Sequence, residues 1–122
     1  MTAWQSYTER GQTMQEIVRS LYESINKLRA TIDKRLEVSE QRANAEYRYR
    51  TELGREMARA KAEGMANTAL YDYCRGLENV AKLRESRDIL VAQEEYLTEL
   101  IFFYRASIRV YEGEAAAERK GL

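Results

Sequence analysis

No proline occurs anywhere in the 122 residues of this chain. Proline removes a backbone donor and clashes with the preceding helical turn, so a chain without it can carry uninterrupted helices of unusual length. The apolar residues then indicate where those helices lie. Met14, Val18, Leu21, Ile25, Leu28 and Ile32 step by four and three, the repeat that keeps one stripe of a helix against a partner helix. Leu36 follows four residues on where three are due, which reads as a stutter. The stripe continues more weakly through Ala43, Tyr47, Leu53, Met57 and Ala60. A second stripe runs Val80, Leu83, Arg87, Leu90, Glu94, Leu97, Ile101, Tyr104, Ile108, Tyr111. Arg87 and Glu94 occupy apolar positions of it. Such residues fix register or partner choice when paired in a seam. The reading favoured by their long side chains is that both reach out to solvent at a two-helix edge.

Capping and breaking residues set the boundaries. Thr13 to Glu16 has the reciprocal capping-box pattern just before the first stripe. Thr2 and Gln5 repeat it upstream and Gly11 follows, which predicts a short lead helix within residues 1–12, carrying Trp4 and Tyr7. Gly64 stands where a helix ends in the left-handed conformation. Asn67 or Thr68 is placed to cap a short helical turn over Ala69 to Cys74, and Gly76 closes it. The expected organisation is a single all-α domain: lead helix 1–12, long helix 13–63, corner 64–76, long helix 77–119. The last helix stops near Glu112 if Gly113 breaks it. At about 1.5 Å per residue the two rods span about 75 Å and 55–60 Å, and they should fold into an antiparallel helical hairpin. A two-helix hairpin has a thin core. Ile101-Phe102-Phe103-Tyr104 covers most of a helix circumference, since neighbours are rotated by about 100°. An oligomeric bundle is therefore expected, a dimer first on symmetry grounds.

Composition removes most chemistries. There is no histidine and one cysteine, Cys74, which excludes Ser-His-Asp and Cys-His nucleophiles and the usual zinc sites. Cys74 reads as a small apolar residue at the corner. No glycine-rich phosphate loop appears, and a carboxylate di-metal bundle normally includes histidine. No enzyme activity, metal or cofactor is expected. A single thiol, the lack of a basic-then-apolar N-terminal segment, and no apolar run longer than Leu100 to Tyr104 suggest a cytoplasmic protein that does not cross a membrane. Twenty basic and twenty acidic residues cancel, which argues against a dedicated nucleic-acid binder. The exception is Tyr47-Arg48-Tyr49-Arg50, where aromatics interleave with cations as in base-stacking surfaces. Glu40, Glu46, Glu52 and Glu56 lie among them. Trp4 and Tyr7 are candidate docking anchors, with packing onto the chain's own helices as the equal alternative.

Ala45-Glu46-Tyr47 with Arg50, Ala62-Glu63-Gly64-Met65 with Thr68, Asp72, Arg75-Gly76, Leu83-Arg84 and Arg87-Asp88 form a further pattern. Through these residues the segment from about Ala43 to Glu112 resembles short helical proteins of tailed phages and prophages of Gram-positive bacteria. The family often places proline after the Gly-Met pair, where this chain has Ala66. The resemblance implies a setting, a phage accessory protein in the host cytosol, and no activity. In the expected hairpin the polar matches Asp72, Arg75, Arg84, Arg87 and Asp88 gather near the corner, as a structural network or a recognition surface. The expected function is a non-catalytic, homo-oligomeric interaction protein that binds a host or phage protein of replication, recombination or defence. Trp4, Tyr7, Phe102, Phe103 and Tyr104 are its contact candidates; Gly64, Thr68, Asp72, Arg75 and Gly76 shape the corner. The alternative is a nucleic-acid accessory protein using Tyr47 to Arg50.

Overall fold

The structure, a computed structural model, describes residues 13–121. They form three helices: α1 (Met14–Ala62), α2 (Asn67–Arg75) and α3 (Glu78–Arg119). No strand occurs among the described residues. The described residues are all-helical, with two long helices and one short helix between them. The lead helix expected over 1–12, with Trp4 and Tyr7, lies outside the described residues.

The helix ends follow local chemistry. At the start of α1 the Glu16 amide donates to Thr13 Oγ1 at 3.2 Å, and the Thr13 amide donates back to Glu16 Oε2 at 3.2 Å. This is the reciprocal capping box, satisfying two orphan donors at once. At the far end Gly64 takes φ +95°. Its amide donates to the Lys61 carbonyl and that of Met65 to the Ala60 carbonyl, the paired bonds of a Schellman stop. Met65 also packs against the cluster that contains Ala60. The short helix departs from expectation. It starts two residues earlier, at Asn67, and the residue at its N-cap is Ala66, with no side-chain cap. Neither Asn67 nor Thr68 is the cap. Gly76 closes α2 in ordinary right-handed geometry, φ −83°, so its glycine freedom is not what turns the chain there. Gly113 lies inside α3, which runs on to Arg119.

The buried stripe of α1 is offset from the one the apolar residues suggest. Ile17, Ser24, Thr31 and Val38 are buried at regular seven-residue intervals. Val18, Ile32 and Leu36 are exposed, Leu36 by 62%. The expected stutter at Leu36 is therefore absent: the buried repeat passes that point unbroken, through Val38. Two polar residues are tolerated in it because they are small. Thr31 satisfies its own hydroxyl by donating to the Lys27 carbonyl at 2.7 Å, a local bond that competes only weakly with the helix.

The chain divides into two compact units. Lys34–Tyr96 is one. Its core joins Tyr49, Leu53 and Ala60 of α1, Leu70 and Cys74 of α2, and Val80 of α3, with Met57, Met65, Leu77 and Leu83 packed around them. Cys74 is a free, fully buried thiol, serving as core. The second unit holds the described residues up to Asp33 and from Leu97 onward. Its buried apolar residues are Ile17 and Ile101. Among the described residues nine apolar side chains are buried and twelve large ones are exposed. Apolar surface left in water forgoes the main favourable term of folding.

Candidate functional site

The polar groups of the Lys34–Tyr96 unit are arranged as a ladder between α1 and α3. Ser39 Oγ donates to Glu94 Oε2 at 2.6 Å, and Arg42 Nε donates to the same oxygen at 3.0 Å. Arg87 Nη1 donates to Glu46 Oε2 at 2.9 Å. Asn79 Nδ2 donates to Glu52 Oε1 at 2.8 Å. Partner numbers on α3 fall as those on α1 rise, so within this unit the two helices run in opposite directions. Arg87 and Glu94 thus do not reach out to solvent. Their side chains are only 22% and 19% exposed, and each is paired across the seam.

These pairs shift acidity. Glu46 is held below its ordinary carboxylate range, first by the Arg50 hydrogen bond and then by Arg87. Glu94 is held down first by Ser39 and then by Arg42. A carboxylate whose folded pKa lies below its unfolded pKa adds stability above the unfolded value and loses it as pH falls through the folded one. Stability of the chain is accordingly expected to hold near neutrality and to decline from about pH 5 downward, where carboxylates begin to protonate. Glu94→Gln should flatten that acid limb; urea midpoints between pH 7 and pH 3 measure it. An acid limb of unchanged steepness in the variant would show that Glu94 carries none of it.

A second cluster lies where α2 meets α3. Tyr49 is 5% exposed, and the Arg87 guanidinium lies 4.7 Å from its ring centroid. Arg84 Nη1 donates to the Arg75 carbonyl at 3.1 Å, closing a free acceptor at the end of α2. The Arg75 guanidinium sits 5.6 Å from the Tyr71 ring. Burial is the largest single influence on the Tyr49 hydroxyl and pushes its pKa up. The facing Arg75, Arg84 and Tyr71 outweigh it and hold the value below the usual phenol range.

The expected site residues are distributed as follows. Tyr47, Arg48 and Arg50 are exposed but Tyr49 is buried, so Tyr47 to Arg50 do not share a face and Tyr49 is not available to stack on a base. Arg50 is paired with Glu46. Phe102 and Phe103 are 57% and 61% exposed, whereas Tyr104 is half-buried. The Phe103 and Tyr104 rings meet edge-on, 5.5 Å apart. Thr68 and Asp72 are exposed on α2. Arg87 pairs with both Glu46 and Asp88, while Arg75 and Arg84 meet around Tyr49. Arg42, Ser39 and Asn79 had no place in the sequence-based site, because exposed-looking polar residues carry no sign of their cross-helix partners.

Among the described residues no group of three or more His, Cys, Asp or Glu side chains is placed to hold a metal ion. No helix among them is long and apolar enough to cross a membrane. No protein-family model matches the chain, and neither a curated protein nor a solved structure matches it.

Proposed function

We propose that this chain is a non-catalytic helical interaction protein that self-associates, as a dimer, and uses the assembled surface to dock a second protein. One observation carries the reading: more large apolar side chains are exposed than are buried, and several recur at coiled-coil spacing. In the Lys34–Tyr96 unit Ile89 and Tyr96 are seven residues apart and exposed. In the other unit Phe103 and Val110 are seven apart and exposed, with Phe102 beside them. A 3.5-residue repeat suits another helix as its partner, and exposed aromatic anchors are the usual source of docking energy. The opposed pairing of α1 and α3 within residues 34–96 supports a helical hairpin as the protomer. The phage setting, with a host or phage protein as target, rests on the resemblance of the Ala43 to Glu112 segment alone.

The nucleic-acid reading is weakened by the burial of Tyr49 and by the carboxylate on Arg50. Capture of the tagged full chain from lysate, with and without nuclease, separates the two. A stoichiometric protein retained after nuclease, and lost with Phe103→Glu, is the expected outcome. Recovery of nucleic acid alone, lost on nuclease treatment and falling steeply with salt, would replace protein docking by the Tyr47, Arg48 and Arg50 surface.

A further inference from the structure

We infer that Arg75 and Arg84, together with the Tyr49 hydroxyl, form a binding site for a phosphate group at the junction of α2 and α3. The two cations are brought together by the backbone: Arg75 is the last residue of α2, and Arg84 donates to its carbonyl at 3.1 Å. Like charges held this close call for compensation. Both face the Tyr49 hydroxyl, but among the described residues neither forms an ion pair, whereas neighbouring Arg87 has both Glu46 and Asp88 within 2.9 Å. Asp72 acts on Arg75 only through its field. Arg75 Nε is buried with no hydrogen-bond acceptor, an arrangement folded proteins rarely leave unanswered. A bound phosphate gives that nitrogen the acceptor it lacks.

The donor set selects the ligand. Two guanidinium forks beside the Tyr49 hydroxyl offer enough N–H donors for the several oxygens of a tetrahedral oxyanion. A planar carboxylate is already satisfied by one fork. Tyr49 is fixed beneath Arg87, and Tyr71 supports the Arg75 plane, so the site is held in place before binding.

The test is the thermal midpoint of the full chain titrated with inorganic phosphate or with glycerol 2-phosphate, against chloride at matched ionic strength. For a dissociation constant of about 1 mM, 20 mM ligand should raise the midpoint by about 5–10 °C, with saturation. A saturating rise with either probe supports the site, and the probe giving the larger rise identifies a free phosphate or a monoester. Arg84→Gln should abolish the rise. Arg75→Lys, which keeps the charge but loses the fork, should reduce it severalfold. Arg48→Gln, an exposed arginine on α1, should leave it intact. No rise with either probe, a rise that never saturates as in general salt exclusion, or an equal rise in Arg84→Gln overturns the proposal.

Discussion

Val80→Asp is expected to abolish folding of the Lys34–Tyr96 unit. Val80 is fully buried, at 0% exposure, and it is the buried residue that α3 contributes to the apolar cluster of that unit. Replacing it forfeits about 1.5–3 kcal/mol of burial. An aspartate there also brings a charge with no partner, at a cost of several kcal/mol more. Together these approach the whole stability of an ordinary domain, about 5–15 kcal/mol. Circular dichroism should show loss of cooperative unfolding and of most helical signal. Val80→Ala should cost only about 2 kcal/mol, because a small cavity replaces the unpaired charge. A cooperative transition within a few degrees of the parent in Val80→Asp would mean that the cluster does not hold α3 in place.

Arg87→Leu is the second large effect, and its sign separates two physical accounts. If Arg87 merely interrupted an apolar stripe, leucine would complete the stripe and stabilise. The structure instead gives Arg87 two ion pairs at 2.9 Å, with Glu46 and Asp88, and a face-on contact 4.7 Å from the buried Tyr49 ring. Without Arg87 the half-buried Glu46 keeps only its bond to the exposed Arg50 and loses its cross-helix partner, and the cation–π contact adds about 1–2 kcal/mol. A loss of about 2 kcal/mol is expected, lowering the thermal midpoint by about 6–12 °C. In a double-mutant cycle with Glu46→Gln the two losses should fail to add by about 1 kcal/mol or more. A neutral or stabilising Arg87→Leu would return Arg87 to the role of a solvated edge residue.

The helical class, the capping box at Thr13 and Glu16, and the stop at Gly64 were legible in the sequence because each depends on residues within a few positions of one another. The buried stripe of α3 was equally readable at Val80 and Ile101, its buried members. The stripe of α1 was readable at Leu53, Met57 and Ala60 but not in the first half of the helix. Residues 17, 24 and 31 and residues 18, 25 and 32 have the same spacing on neighbouring faces, and hydropathy favours the second set over one containing Ser24 and Thr31. Only packing decides between them, and it accepts small polar side chains where larger apolar ones stay outside. Tyr49 was misplaced for a related reason. Within Tyr47-Arg48-Tyr49-Arg50 nothing local marks it as the buried member; its surroundings come from Arg75, Arg84 and Arg87, 26 to 38 residues downstream. Arg87 and Glu94 were visible as irregular positions in an apolar stripe, and that irregularity was the real signal of the cross-helix ladder.

The same imbalance that weakens each unit alone makes self-association the central claim. Sedimentation equilibrium of the full chain across a hundredfold range of micromolar concentrations tests it most directly. The account predicts a mass near twice the 14.3 kDa of one chain, moving toward the single-chain value in Phe103→Glu. A mass of 14.3 kDa at every concentration, unchanged by that substitution, would contradict it.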